Sequence, residues 1–393
     1  MNFFRNRCTY LLFCFILYLV GFTLFLFGFT STKVGKIQPV SKNFSLPNCF
    51  SVADENVCLY QEKAFKSLYS RHYEKFVLII IDALRADFIP SVSLSSEHNV
   101  ELPFTDSLIR NGSALSFINT VFSPTVTLPR IKTLVSGSVS NFMDVLINFN
   151  ASKVYDDNFL LQATLHNLKA VFYGDDTWLK LFPGLFIRSE GIHSFFVSDF
   201  TEVDTNVTRH LTDELSKEDW NVMILHYLGV DHIGHAFGPN SEYLAPKLKE
   251  MDNVIKHIYE KLKHKSKIPS LVIICGDHGM TSSGSHGGVT KNELLTPLVF
   301  INTNCSKCLN PSTIKTVSQV DFAVTLSILM GIPIPVNSVG SIIPEVLHFS
   351  DLTPQQVLNA AFYNLLQLLK VYEHLFPSER NIHYEDIKNI IWQ

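Results

Sequence analysis

The chain has 393 residues, 46% hydrophobic and 17% charged, which excludes a disordered protein and leaves room for one large or two medium domains. A formal net charge of −4 gives no electrostatic reason to bind nucleic acid. Phe is in excess at 31 residues, and part of that excess sits at the N-terminus.

There, residues 9–30 (TYLLFCFILYLVGFTLFLFGFT) carry no charge over 22 positions, enough for a helix to cross a bilayer core of about 30 Å. A cleaved signal peptide has a shorter apolar region, about 7–15 residues, so residues 1–31 read as a cytosolic tip and an uncleaved transmembrane signal anchor. Arg5 and Arg7 precede the span and Lys33, Lys36 and Lys42 follow it, so basic residues alone do not set its orientation. Five N-x-S/T sequons lie beyond it, at Asn43, Asn111, Asn150, Asn206 and Asn304, and together they favour a lumenal or extracellular body. Residues 32–70 read as a polar stalk. Cys49 and Cys58 can pair across a short loop, as can Cys305 and Cys308, while Cys275 sits in an apolar run and reads as a buried free thiol.

Residues 71–348 read as a globular domain. FVLIII at residues 76–81 is a continuous apolar run, the mark of a strand buried on both faces. Residues 221–228 and 271–275 look the same, and 298–301 is a shorter copy. Helical periods lie between them, most clearly over 241–264, where Leu244, Leu248, Met251, Ile255, Ile258 and Leu262 recur at intervals of three and four. Alternation of this kind predicts an α/β fold with a mainly parallel central sheet flanked by helices. Residues 349–393 read as a C-terminal helical segment, opened by Thr353 as N-cap and Pro354 as first helical residue.

Three of the apolar strands run into acids. Residues 76–81 lead to Asp82, the strand near Ile224 leads to GVDHIGH with Asp231 and His235, and residues 271–275 lead to GDHG with Asp277 and His278; His286 follows in SGSHGG. Ligands of open parallel sheets bind beyond the carboxyl ends of the strands, so these groups are expected on one rim. Bare, they would repel, and a metal resolves that conflict. The Asp and His donors suit Zn²⁺, with Mn²⁺ as second choice, and they suffice for two ions of the kind used in phosphoryl transfer. In VFSPTVTLPRIKTL, Thr127 stands before a predicted helix at 128–136. Alone it would be an ordinary helix cap. Beside such ions its hydroxyl becomes an activated nucleophile, with helix N–H groups to hold a phosphoryl oxygen. Arg130, His232 and Asp176 complete the candidates as substrate contacts.

The strings LIIIDALRAD, SPTVTLPR, VDHIGH, GDHGM and SHGG resemble the metal-dependent alkaline phosphatase superfamily. VFYGDDTWLKLFPGLF, FFVSDFTEVDTNVTRHL, HYLGVDHIGHAFGPNS and GIPIPVNSVGSIIPEVL resemble the GPI ethanolamine phosphate transferases, above all those acting on the second mannose, over about residues 70–345. The resemblance implies an alkaline-phosphatase-like catalytic domain facing the lumen of the endoplasmic reticulum. It would move phosphoethanolamine from phosphatidylethanolamine to a mannose of a GPI precursor. It implies that Asp82, Thr127, Asp277 and His278 hold one zinc, that Asp231, His235 and His286 hold the other, and that Thr127 carries the covalent intermediate. A small multi-span stabilising subunit is a further implied partner. Family members continue into a large membrane domain, so the chain is expected to be truncated after its lumenal domain. Two other functions fit the same motifs: a two-metal phosphodiesterase of the nucleotide pyrophosphatase type, with water as acceptor, and an inactive membrane-tethered binder. A sulfatase fits less well, because no C-x-P-S-R-type site is present and Thr127 cannot become formylglycine.

Overall fold

The computed structural model describes residues 2–30, 70–92, 102–140, 154, 156–193, 196, 198–263, 269–304 and 314–376. The N-terminal unit is helix α1 (Asn2–Thr30). Its stretch Thr9–Phe27 is long and apolar enough to cross a membrane: 19 residues at about 1.5 Å each span the apolar thickness. The predicted stalk, Asn43, Cys49 and Cys58 fall outside the described residues, as do Asn150, Cys305 and Cys308.

The second unit is built on an eight-stranded sheet: β1 (Phe76–Ile81), β2 (Ala114–Thr120), β3 (Ala170–Asp175), β4 (Phe186–Ile192), β5 (Val222–Tyr227), β6 (Leu271–Cys275), β7 (Leu295–Asn302) and β8 (Lys315–Ser318). Their spatial order is β4-β3-β5-β1-β6-β7-β2-β8. All neighbours pair in parallel except that β7 runs against both β6 and β2. The sheet is thus mainly parallel, and β1 lies between β5 and β6, with Ile80 opposite both His226 and Cys275.

The unbroken apolar composition of β1 has a direct cause. Phe76, Leu78 and Ile80 enter one core cluster and Val77, Ile79 and Ile81 the other, so both faces of the strand are covered. The first layer includes α3 (Thr127–Ser136), α4 (Phe159–Leu165) and α9 (Gln319–Met330); the second includes α2 (Pro103–Arg110), α6 (Glu202–Thr208), α7 (Gly229–Phe237) and α8 (Leu244–Lys263). Helix α5 (Thr177–Leu181) follows β3. On α8 the six periodic residues named from the sequence are all buried.

Helices α10 (Pro344–Phe349) and α11 (Pro354–Leu375) are continuous with the fold, because Val346, Leu347, Val357, Ala360, Tyr363 and Leu366 belong to the first core cluster. Asn364 and Gln367 donate to the Gly340 and Ser338 carbonyls, so these two polar residues of α11 also face inward. The start of α11 is as read: the Thr353 side chain accepts from the Gln356 N–H, and Pro354 occupies the first turn.

Candidate metal centre

Three adjacent strands deliver the acids. Asp82 ends β1, Asp231 and His235 project from α7 just after β5, and Asp277 and His278 follow β6. His286 comes from the same excursion as Asp277, between β6 and β7. The rim expected from the sequence is therefore formed, and all seven predicted residues lie on it.

They sort into two groups. In the first, one ligand atom from each of Asp82, Asp277 and His278 lies within 4.8 Å of the others. His278 Nε2 is 3.5 Å from Asp82 Oδ1 and 3.4 Å from Asp277 Oδ2. Thr127 Oγ1 joins them, 3.3 Å from Asp82 Oδ2 and 3.4 Å from His278 Nε2. In the second group, Asp231 lies 3.5 Å from His235 Nε2 and 3.6 Å from His286 Nε2, and the two imidazole nitrogens are 3.0 Å apart. The groups adjoin, for the His278 and His286 rings stack with centroids 4.2 Å apart.

Donors around a tetrahedral zinc with bonds of about 2.1 Å sit about 3.4 Å apart, so both groups have the right size. The hydrogen bonding agrees. Asp82 Oδ1, Asp277 Oδ2 and Asp231 Oδ1 are buried with no hydrogen-bond partner, which is costly unless a cation satisfies them. The other Asp277 oxygen accepts from the Ala83 N–H, 3.2 Å away. His278 Nδ1–H donates to the Gly279 carbonyl and His286 Nδ1–H to the Thr125 carbonyl, leaving each Nε2 lone pair turned to the carboxylates. Burial, and then the neighbouring Asp277, Asp231 and Asp175, push the Asp82 carboxyl well above its usual range. Burial likewise pushes the His278 imidazole down.

Thr127 is not a cap. Val126 occupies the N-cap position of α3, no side chain caps the helix, and Thr127 is its first residue, one position earlier than the sequence suggested. Its hydroxyl is directed into the first group. Thr125, fully buried, ties this loop to the other group: its Oγ1 accepts from the Gly287 N–H while its carbonyl accepts from His286. Glu293 steadies the same junction by accepting from the Gly288 and Thr290 N–H groups.

Helix α7 is held by another buried acid. Asp204 Oδ1 accepts from the Leu228 and Gly229 N–H groups, both at 3.0 Å, and its Oδ2 lies 3.2 Å from Lys247 Nζ. Thr125 and Asp204 carry no pattern that sequence reading picks up, since each acts on backbone groups far along the chain; Glu293 does carry one, closing the capping box that Thr290 opens.

The three residues expected as substrate contacts are each engaged within the protein. Arg130 has no exposed surface; it donates to Gln319 Oε1 at 3.4 Å, and burial pulls its pKa down to about 10 against the opposing pull of Asp277. Its charge therefore sits beneath the cluster. His232 is buried, and its Nδ1–H donates to the Asp199 carbonyl, fastening α7 to the preceding loop. Asp176 is paired with Lys180 at 2.6 Å and His193 at 2.8 Å. Of the described sequons, Asn111 and Asn304 are exposed in turns, whereas Asn206 is half-buried within α6. Cys275 is a buried free thiol, as read.

With the geometry in place, comparison with known proteins is informative. The family model for type I phosphodiesterase / nucleotide pyrophosphatase matches residues 173–309. The human GPI ethanolamine phosphate transferase 2, catalytic subunit, is 43% identical over 323 residues, which are 80% of this chain and 32% of that protein. The Aspergillus fumigatus GPI ethanolamine phosphate transferase 2 is 40% identical over 349 residues, 84% of this chain and 44% of that protein. The chain is a homologue of the GPI ethanolamine phosphate transferases 2. It spans less than half the length of these two transferases. Among solved structures, the zinc complex of the C-terminal periplasmic domain of EcEptC from Escherichia coli has a TM-score of 0.50 at 14% identity, covering 68% of this chain and 84% of that one. At that identity the likeness establishes the alkaline-phosphatase-like fold alone.

Proposed function

We propose that this chain carries the catalytic domain of a phosphoethanolamine transferase that uses two zinc ions and Thr127 as nucleophile. The donor is phosphatidylethanolamine and the acceptor a mannose, the second, of a GPI precursor. The domain faces the lumen of the endoplasmic reticulum, anchored by α1, and works beside a small multi-span subunit. The homologues' names support transfer of ethanolamine phosphate in GPI synthesis, and the site supports the chemistry.

In the first half-reaction Thr127 Oγ1 attacks the phosphorus of the donor. A Thr127 Oγ1–P bond forms and the P–O bond to diacylglycerol breaks; Thr127 releases one proton and the departing oxygen takes one up. In the second half-reaction a mannose hydroxyl attacks, the Thr127 Oγ1–P bond breaks and Thr127 regains its proton. Asp82, Asp277 and His278 would hold one zinc with Thr127, and Asp231, His235 and His286 the other. When bound, the ions lower the pKa of the Thr127 hydroxyl and neutralise charge on the phosphoryl oxygens. The N-terminal N–H groups of α3 are placed to hold a further oxygen.

The observation that carries this reading is the direction of the Thr127 hydroxyl, aimed at Asp82 and His278 at 3.3 and 3.4 Å instead of capping its helix. Mass spectrometry of the chain after exposure to phosphatidylethanolamine tests it: a phosphoethanolamine adduct on Thr127 is expected, absent in Thr127→Ala. A Thr127→Ala chain that still forms the phosphoenzyme refutes the nucleophile. The matched phosphodiesterase model favours one second reading, hydrolysis with water as acceptor. Product analysis with both lipids separates them, since transfer yields a modified glycolipid and hydrolysis yields free phosphoethanolamine.

A further inference from the structure

His226 stands in β5, opposite Ile80 of β1, and is fully buried. Its ring lies between two very different neighbours. On one side Trp178 Nε1–H donates to His226 Nδ1 at 3.1 Å. An indole nitrogen can only donate, so Nδ1 must accept and the ring proton is on Nε2. On the other side that Nε2 has no hydrogen-bond partner and faces Asp82 Oδ2 at 3.5 Å. A buried polar atom left in this state needs an explanation. Asp82 supplies one, since its two oxygens have separate duties: Oδ1 faces His278, and Oδ2 faces Thr127 and His226.

We propose that His226 is a positioning residue for the metal centre: aimed by Trp178, its Nε2–H holds Asp82 Oδ2 and so fixes the carboxylate with Oδ1 turned toward His278 and Asp277. The surroundings are built for this. Trp178 is itself fully buried and stacks on Phe172, so the donor cannot swing away. Gly174 approaches the His226 backbone so closely that an added Cβ would lie 2.5 Å from the His226 carbonyl oxygen. The imidazole thus acts on the ligand from behind, and its removal should loosen metal binding without removing a donor from the ion.

This inference rests on the cluster being a metal centre, and it is tested by binding of zinc alone to the full chain in detergent. Zinc is titrated in competition with a chromogenic chelator, and far-UV circular dichroism checks folding. His226→Leu is expected to weaken zinc binding about 10–100-fold, the usual effect of losing a group behind a ligand. His226→Gln, which keeps an N–H at similar reach, is expected to recover most of that loss; a role in packing alone would leave the two variants alike. In the metal-free protein, ¹⁵N NMR of His226 is expected to show the proton on Nε2, and Trp178→Phe to give a mixture of tautomers. A folded His226→Leu chain that binds zinc as tightly as the parent, or a parent with the proton on Nδ1, overturns the proposal. A parent that binds no zinc overturns the metal centre itself, which separates that failure from the failure of the His226 role.

Discussion

Asp204→Asn is the sharpest test of how the second half of the site is held. The substitution keeps the shape and one acceptor oxygen for the Leu228 and Gly229 amides. What disappears is the charge 3.2 Å from Lys247, which is 5% exposed and, among the described residues, keeps the half-exposed Glu250, 2.8 Å away, as a carboxylate partner. Breaking a buried ion pair costs about 3–5 kcal/mol, and the surviving partner places this case near about 3 kcal/mol. If the loss falls on the junction before α7, the Leu228 and Gly229 amides should exchange about 100-fold faster, as 1.36 kcal/mol is a factor of ten. Hydrogen exchange of the metal-free chain, read beside its thermal unfolding, supplies both numbers. Burial raises the Asp204 carboxyl above its usual range even with Lys247 beside it, so desolvation outweighs the attraction. The double variant Asp204→Asn/Lys247→Met should therefore recover at least half of the loss. A single variant within about 0.5 kcal/mol of the parent, with unchanged exchange at those amides, would refute the reasoning.

The other predictions concern the cluster. Asp277→Ala should lower zinc content by one ion per chain by elemental analysis; unchanged stoichiometry removes it from the ligand set. Gly284→Ala should cost metal binding and stability together, because φ is +78° there and an added Cβ would lie 1.8 Å from the Gly234 carbonyl oxygen of α7. Thr125→Ala, which frees the Gly287 amide beside His286, should weaken zinc binding about tenfold in a chelator competition. The metal-free chain should lose thermal stability as pH rises from the unfolded carboxylate range through the raised pKa of Asp82. The raised Asp157, Asp204 and Asp321 act in the same direction, because each takes up a proton on folding in that window, while the lowered His278 opposes them up to the usual imidazole range. Zinc should abolish the Asp82 part of this slope, and melting curves with chelator and with zinc that run parallel across pH would contradict it.

The seven residues of the cluster were legible because each sits beside a feature with a strong signature. An apolar run marks a strand, and an acid at its end marks the rim. The orientation of Thr127 was open, since the same residue type caps helices and only coordinates show where the hydroxyl turns. Strands β2, β3, β4 and β8 escaped the sequence because the apolar run of β3 gives way to Gly174 and Asp175 after four residues and the other three are partly exposed, so no continuous apolar run announces them. Arg130 and His232 are substrate-contact candidates by residue type alone; that both are buried, Arg130 against Gln319 and His232 on the Asp199 carbonyl, has no signature in the sequence. The place of His226 is set by Trp178, 48 positions away in the chain, a contact no local pattern announces.

The reversal of β7 has a mechanical effect on the whole centre. Because that strand runs against β6, the excursion of residues 276–294 leaves the sheet and re-enters it at the same edge, like a handle fixed at both ends. Asp277 and His278 at one end belong to the first ligand group and His286 in its middle to the second. A disturbance at one group is therefore passed along the handle to the other, so losing the first ligand set should weaken the grip of the second.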